Sequence, residues 1–384
     1  MAAPRRHPSL EDPVDVSLTP EQQELTRTVR AFCAQHATPE LVRRASATER
    51  GHDPAVWRAL AQDLGLAGLA IPAAYGGAGA GWLEVGLALA QTGGALLPSP
   101  LLSTLVAGAA VLATADEAAA ADILPALAAG EEVGTVAVAE ASGRWDTASV
   151  QTRAEPGPGG WLVTGIKDFV LDAVVADLLV VAALADDGVG LFAVRARGPG
   201  VTRVAHGGLD QTRRQARVTL RDAAARRLGP GGPEGEAAVD TAVDLMRVAL
   251  AAEAAGGARR CLASSVAHLA ERVQFGRPLG SFQALQHRCA DLAVQVEAAE
   301  ATALSAVWTA AELPAELPVV GPLAKAVCGS AYRSAAAENV QLHGGMGFTW
   351  EHDAHLHLKR ATTTELLLGD TRACRLLVAD RVGL

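Results

Sequence analysis

The amino-acid sequence predicts a mainly α-helical protein with a β-domain at its centre. Alanine-rich helical patterns continue to about Gly130, short valine-rich runs follow from Val133, and four long helical patterns come after residue 236. Alanine is the best helix former, and β-branched runs bounded by turn residues are typical of strands. A chain of 384 residues is long enough for two or three domains.

The N-terminal part of the chain is predicted to be helical over residues 18–131, after a disordered segment at 1–17. Thr19 can cap the first helix, Pro20 suits its first turn, and Gln22 can reach back to the cap. The first residues lack the apolar run of a secretory signal. The stretch from Leu101 to Ala115 is too short to span a bilayer, so we expect no membrane association.

The middle of the chain, residues 132–230, is the predicted β-domain. Its strands are expected at Gly134–Val138, Trp161–Thr164, Asp177–Ala183, Gly190–Val194 and Ala216–Leu220. A Gly- and Pro-rich linker is predicted at Leu228–Glu236. The remaining residues, 237–384, form the predicted C-terminal bundle, with helices at about 238–273, 282–311, 316–340 and 352–381.

Charge and cysteine usage exclude several classes of function. A net charge of −9 argues against a general nucleic-acid binder, which usually carries a basic stripe. The five cysteines are scattered without a CxxC pair, which favours free thiols in a reducing cytoplasm over a disulfide frame or a zinc site. His352, His355 and His357 beside Asp353 do not share one helical face, so we predict no metal site there.

Two C-terminal motifs carry the functional information. The first is Arg272-Val-Gln-Phe-Gly-Arg-Pro-Leu-Gly-Ser-Phe-Gln283, and the second is Gln341-Leu-His-Gly-Gly-Met-Gly-Phe-Thr-Trp-Glu351. Adjacent glycines let a backbone approach a ligand closely, and arginine can make paired hydrogen bonds to phosphate. This combination suits a flat, anionic ligand such as a dinucleotide.

Together these motifs resemble the acyl-CoA dehydrogenase family, FAD enzymes that desaturate acyl-CoA thioesters. The resemblance covers nearly the whole chain and implies an N-terminal helical domain, a β-barrel-like domain and a C-terminal four-helix bundle. It also implies that FAD lies between the β-domain and the bundle of one subunit, with its adenine end reaching a neighbouring subunit. We therefore expect a dimer or tetramer.

The resemblance assigns residues to the half of the flavin site that serves the neighbour. Arg272 and Phe275 would hold the pyrophosphate and adenine side of the neighbour's FAD, and Gln341 and Gly345 would line the same half-site. The alternative is that Arg272 caps a helix end and that the glycines form an ordinary turn.

The half-site around the flavin ring departs from the family pattern. Phe169 takes the aromatic position that covers the flavin face, whereas Leu171 replaces a threonine that hydrogen-bonds the ring. Ala139 and Trp145 replace two hydroxyl residues of a neighbouring flavin loop. Backbone amides would have to supply the hydrogen bonds that these side chains have lost.

The family's catalytic carboxylate is also replaced. Desaturation needs a base for the α-proton, but the usual glutamate position is Leu368, and the alternative position on the first bundle helix is Met246. Arg247, beside it, matches a family arginine that contacts the acyl-CoA.

Two other carboxylates could act as the base. Glu253 lies seven residues after Met246, on about the same helix face and about 10 Å further along the axis. Asp370 lies two residues past the usual place. We favour Glu253, with helix packing as the alternative role for Glu253 and a loop position near the ribityl chain as the alternative for Asp370.

Three functions follow from the resemblance. The first is an FAD-dependent acyl-CoA dehydrogenase that forms a 2,3-enoyl-CoA and passes electrons to an electron-transfer flavoprotein. The second is a non-catalytic subunit of a heteromeric acyl-CoA dehydrogenase, which completes the FAD site of a second, similar chain. The third is an acyl-CoA binding scaffold without flavin. The few aromatic residues suggest a roomy pocket for branched or polycyclic acyl groups.

Overall fold

The computed structural model describes residues 17–384, so the predicted disorder of residues 1–16 lies outside it. The N-terminal domain is helical, and six α-helices run through it: α1 Pro20–His36, α2 Pro39–Ser46, α3 Pro54–Arg58, α4 Trp82–Gly94, α5 Leu101–Ala113 and α6 Glu117–Ala128. Thr19 and Gln22 form a capping box at the start of α1, as the sequence predicts. Helix α5 is buried along most of its length, which explains its almost wholly apolar sequence.

The middle of the chain forms a β-domain of seven strands: β1 Gly134–Ala137, β2 Arg153–Gly157, β3 Gly160–Leu171, β4 Leu178–Ala185, β5 Gly188–Arg195, β6 Val201–Ala205 and β7 Gln215–Leu228. Strands β4, β2, β3, β7 and β5 pair in that order, and β5 pairs again with β4. The ring of pairings closes the sheet, which gives the predicted barrel-like domain.

The C-terminal bundle begins with the longest helix of the described chain. Its elements are α7 Gly232–Glu271, β8 Val273–Gln274, β9 Arg277–Pro278, α8 Gln283–Glu312, α9 Leu317–His343, α10 Gly345–Phe348, α11 Ala354–Leu366 and α12 Thr371–Arg381. Helix α7 packs against α8, α9 and the N-terminal helices α4 and α5. It therefore joins the bundle to the N-terminal domain.

The sequence misplaced some elements. The helix expected over 352–381 is two helices, because the chain turns at Leu368 and Gly369, whose φ angles are +62° and +96°. The predicted linker at 228–236 already contains the end of β7 and the first turn of α7. Strands β2 and β6 went unpredicted, because both are short and largely exposed and so lack a valine-rich run.

Small residues set the distance between α4 and α7. A Cβ added to Gly256 would lie 1.9 Å from the carbonyl oxygen of Ala90, and one added to Gly93 would lie 2.3 Å from Cγ of Glu253. The two helices therefore pack backbone against backbone, and this close packing brings Glu253 to the junction of the N-terminal domain and the bundle. No helix within residues 17–384 is both long and apolar enough to cross a membrane.

Candidate functional site

Arg272 and Phe275 lie on the short hairpin between α7 and α8, at one end of the bundle. Arg272 ends α7, and its backbone amide donates to the carbonyl oxygen of His268 at 2.9 Å. Its side chain is exposed and makes no hydrogen bond or ion pair with any described residue. Phe275 is 88% exposed and has a left-handed φ of +55°. The hairpin thus carries an unpaired cation and an aromatic ring that is largely exposed, with one edge contact to Phe282.

Gln341 and Gly345 lie at the same end of the bundle. The rings of His268 and His343, whose centroids are 4.3 Å apart, join the end of α7 to the end of α9. Gln341 is exposed, and a Cβ at Gly345 would have no heavy atom within 4 Å. The structure places the four predicted residues at this end of the bundle, and we call them together the bundle-end surface: Arg272, Phe275, Gln341 and Gly345. Three exposed apolar side chains follow in the chain: Met346, Phe348 and Trp350.

The β-domain places Phe169 at a bulge. The register between β3 and β7 shifts between Lys167 and Val170, and Phe169 has a φ of +55°. A bulge of this kind re-aims a side chain, and the Phe169 ring remains 36% exposed while stacking on His206 at a centroid distance of 5.6 Å. Phe169 is therefore available as a flat apolar surface.

The polar groups of the loop beside Phe169 form hydrogen bonds within the β-domain. Ala139 is buried, and its carbonyl oxygen accepts from the amide of Asp168 at 2.8 Å. Oε1 of Glu140 accepts from Nζ of Lys167 at 2.8 Å and from the amide of Thr152 at 2.9 Å. Burial lowers the pKa of Lys167 to about 8, although Glu140 opposes the shift. Both charged groups are thus committed to holding the β-domain together.

The two family positions for a base hold apolar, buried side chains. Leu368 is 0% exposed and Met246 is 2% exposed. Asp370, two residues on, caps α12 by accepting from the amide of Ala373 at 2.7 Å. The Asp370 carboxylate therefore serves as the N-cap of α12.

Arg247 is also engaged within the chain. Its Nη1 donates to Asp244 at 2.6 Å, and its Nε donates to the carbonyl oxygen of Leu368 at 3.2 Å. Asp244 in turn accepts from Arg381 at 2.9 Å. Arg247 therefore fixes the loop between α11 and α12, and its role toward an acyl-CoA stays a prediction.

Glu253 lies in a buried group of charges that the sequence did not reveal. Its Oε1 accepts from Nη1 of Arg360 at 2.9 Å, and its Oε2 accepts from Nη2 of Arg213. Arg360 also donates to Asp210 at 2.8 Å and to the carbonyl oxygen of Thr212 at 2.8 Å. Burial acts to raise the pKa of Glu253, but the two arginines outweigh it and the pKa is lowered.

No pattern in the sequence signals this group, because its members come from a β-domain loop and two distant helices. The histidines near the end of the chain form another internal contact: Nδ1 of His357 lies 2.8 Å from the Tyr332 hydroxyl. Within residues 17–384, no group of three or more His, Cys, Asp or Glu residues could hold a metal ion.

Comparison with known proteins identifies the family. Residues 19–131 match the model of the acyl-CoA dehydrogenase N-terminal domain, and residues 234–383 match that of the C-terminal domain. The chain is 37% identical over 352 residues to the acyl-CoA dehydrogenase IpdE2 of Mycobacterium tuberculosis, covering 92% of this chain and 94% of the relative. The chain belongs to the acyl-CoA dehydrogenase family.

Solved structures of the family have the same fold. A variant of the steroid acyl-CoA dehydrogenase Tcur3481–Tcur3483 matches with a TM-score of 0.86 and 32% identity, over 94% of this chain and 97% of that one. A chain of the ChsE4–ChsE5 complex of Mycobacterium tuberculosis matches with a TM-score of 0.86 and 27% identity, over 96% and 99%. Members of the family bind FAD and are oxidoreductases that act on a CH–CH bond of an acyl-CoA.

The two halves of the site differ in how well they fit FAD. The bundle-end surface offers an unpaired guanidinium for a phosphate, an exposed ring for stacking, and an open glycine. The β-domain half offers the Phe169 face, but Ala139 and Leu171 bring no hydrogen-bonding side chain, and both are buried. The residues present therefore fit FAD at the bundle end better than at the ring.

Proposed function

We propose that the chain is a subunit of a heteromeric acyl-CoA dehydrogenase that completes the FAD site of a second, similar chain and supplies no catalytic base of its own. The observation that carries this proposal is the contrast between the two halves of the site. The bundle-end surface is exposed and unpaired, whereas the positions for a base hold Leu368 and Met246. A leucine or a methionine cannot accept a proton.

The remaining carboxylates support the same proposal. A general base works best when its pKa lies near the working pH. The arginines hold the pKa of Glu253 below its ordinary value, and Asp370 is occupied as a helix cap. Neither is well placed to take the α-proton of an acyl-CoA, so the partner chain would carry the base.

On the partner's FAD, each residue of the bundle-end surface would have a distinct task. The Arg272 guanidinium would bind the pyrophosphate oxygens, and the Phe275 ring would cover the adenine. The Gln341 amide would hydrogen-bond the same half of the cofactor, and Gly345 would let its backbone come close. FAD bound there would accept the β-hydride of the acyl-CoA in the partner's active site.

The composition of the assembly is supported by the relatives. Both solved structures described above are named for two chains, and one of them is called a steroid enzyme. We accordingly propose a polycyclic, steroid-derived acyl-CoA as the substrate of the assembly and an electron-transfer flavoprotein as its electron acceptor. The five free cysteines are consistent with a reducing cytoplasm.

Arg272→Ala in the co-purified assembly tests the proposal. Charge-assisted hydrogen bonds to phosphate contribute about 1.5–3 kcal/mol, so the FAD dissociation constant should rise about 10- to 150-fold. Arg58→Ala is the matched control, since Arg58 is also exposed and has no hydrogen bond or ion pair with a described residue. An Arg272→Ala assembly that binds FAD as tightly as the control would contradict the proposed contact.

A second candidate is a self-sufficient dehydrogenase that uses Glu253 as its base. One observation favours it: Glu253 lines the same cavity as Leu171, on the strand expected to face the flavin ring. Glu253→Gln decides this point. Turnover within threefold of the wild type would exclude Glu253 as the base, whereas a loss of several orders of magnitude would support it.

A further inference from the structure

The space between the three domains is almost completely filled. The cavity there has a volume of about 20 Å³, which is room for about one water molecule. Its walls come from α4 and α5, from the β-domain and from the bundle. They include Leu89, Leu101, Asp172, Arg213, Glu253 and Arg360. By family resemblance the reacting part of the acyl group lies beside the flavin ring, and Leu171, at a position expected to contact that ring, lines this cavity. A larger cavity of about 930 Å³ between the N-terminal helices and the bundle has no β-domain residue in its lining. The filled space is therefore where an acyl group would have to enter.

Charged side chains fill the space between the three domains. Glu253 of α7 lies between Arg213 of the β-domain loop and Arg360 of α11, with one carboxylate oxygen on each guanidinium. Each of these three residues is at least nine-tenths buried. Asp210 neutralises the second arginine, so the four charges balance. We call these four residues the Glu253 cluster.

The two guanidinium groups have the form of a carboxylate-binding site. Arg213 and Arg360 approach the same carboxylate from two sides, and further bonds from Arg360 to Asp210 and Thr212 fix its orientation. Nη1 of Arg213 is buried and has no hydrogen-bond partner among the described residues, although the residue lines the cavity. A buried donor without a partner is costly, and the N–H groups of this nitrogen could donate to a further oxygen atom.

We propose that Arg213 and Arg360 form a carboxylate-binding site that Glu253 fills from within the chain, so that the filled site closes the chain's own acyl cleft. This inference rests on the proposed function, because a subunit that serves its partner's flavin needs no open cleft. Glu253 is then a plug that joins the β-domain to α7 and α11. A free carboxylate of matching size should take its place when Glu253 is shortened.

Chemical rescue tests the proposal. Glu253→Ala removes Cγ, Cδ and both carboxylate oxygens, which are the heavy atoms of acetate. In the assembly as purified, this variant should lower the melting temperature by about 4 °C or more, because the buried Arg213 loses its ion-pair partner and Arg360 loses one of its two. Sodium acetate at about 100 mM should restore at least half of the loss, whereas equal concentrations of sodium chloride or acetamide should not.

Two variants serve as controls. Glu297→Ala removes an exposed carboxylate that pairs with Arg259 on the bundle surface, and its melting temperature should respond to acetate as the wild type does. Adding Arg213→Met to Glu253→Ala should abolish the rescue. Acetate that stabilises Glu253→Ala no more than Glu297→Ala, or a Glu253→Ala variant as stable as the wild type, would overturn the proposal.

A second pair of variants keeps the test decisive if Glu253→Ala does not fold. Glu253→Gln preserves the side-chain volume and leaves Arg213 with an unmatched charge, whereas Glu253→Gln with Arg213→Met removes both charges. Replacing both partners of a buried ion pair costs less than removing one, so the double variant should melt at a higher temperature than the single one. A double variant that melts at a lower temperature than the single one would refute the proposal that Glu253 fills the site formed by the two arginines. These readouts are stabilities, so they can fail independently of the flavin stoichiometry that tests the proposed function.

Discussion

Asp172 offers a pH-dependent test of the charges around the filled cavity between the three domains. The residue follows β3, lines the cavity and accepts from the Ser103 hydroxyl at 2.8 Å. Burial raises the pKa of Asp172 from its ordinary value of 3.8 to about 6, and the Glu253 charge adds to the shift, while Ser103, Arg213 and Arg360 oppose it. The ionised carboxylate thus destabilises the folded state, and Asp172→Asn should remove this destabilisation.

The size of the effect follows from the shift. A rise from 3.8 to about 6 is about 2 pKa units, and at about 1.4 kcal/mol per unit this corresponds to about 3 kcal/mol. Unfolding entropies of about 2.1 cal/mol/K per residue give about 0.8 kcal/mol/K for the whole chain. Asp172→Asn should therefore raise the melting temperature by about 2–4 °C once Asp172 is ionised. Asparagine also tolerates the left-handed φ of +51° at this position.

The sign of the pH dependence is fixed by proton uptake. Between pH 4 and pH 6 the folded protein holds a proton on Asp172 that the unfolded chain releases, so the wild type loses stability as the pH rises through this window. The gain from Asp172→Asn should be close to zero at about pH 4, grow up to about pH 6 and stay constant above about pH 7.

Thermal unfolding followed by circular dichroism at a series of pH values measures this difference. Asp291→Asn is the control, since Asp291 is exposed on α8 without a hydrogen bond or ion pair to a described residue, and its effect should not follow the same curve. A gain that is equal at pH 4.5 and pH 8, or an Asp172→Asn variant that is less stable at pH 8, would show that the ionised Asp172 carboxylate does not destabilise the folded chain.

Three further predictions concern other parts of the structure. Gly256→Ala should lower the melting temperature by several degrees, because its Cβ would lie 1.9 Å from the Ala90 carbonyl oxygen, whereas Gly345→Ala, with no atom within 4 Å, should change it by less than about 1 °C. Burial lowers the pKa of Lys325 to about 8, so above pH 8 the unfolded chain keeps a proton that the folded chain has released. The stability of the wild type should therefore rise between pH 8 and pH 10, whereas that of Lys325→Met should not. Parallel curves of melting temperature against pH would contradict this. Phe275→Asp should leave the stability of the chain unchanged, because the ring is 88% exposed, but it should weaken association with the partner chain about tenfold or more. Analytical ultracentrifugation measures this association, and an undiminished association would show that Phe275 does not contribute to the interface.

The sequence predicted the architecture because local signals and the two C-terminal motifs agree. Helix caps, valine-rich strands and the position of the glycine block all point to the same order of domains. The turn at Leu368 and Gly369 was missed, since leucine rarely adopts a positive φ and nothing in its neighbourhood signals a break. Strands β2 and β6 exist mainly because their neighbours provide hydrogen-bond partners, which a local pattern does not record.

The candidate site was predictable only in part. The residues of the bundle-end surface follow from motifs that are contiguous in sequence, and the structure brings them together at one end of the bundle. The partners of Glu253 were not predictable, because Arg213 and Arg360 are separated from it by 40 and 107 positions. Such pairings are set by the packing of three domains rather than by spacing along the chain.

The proposed function is tested most directly by the amount of FAD bound to the chain, purified alone and together with a partner acyl-CoA dehydrogenase chain that carries the family glutamate. FAD is released by denaturation and measured by its visible absorbance. The proposed function predicts a colourless protein when the chain is alone, and about one FAD for each pair of chains when the two are purified together. A chain that alone holds nearly one FAD, and whose flavin band bleaches when an acyl-CoA is added, would contradict it.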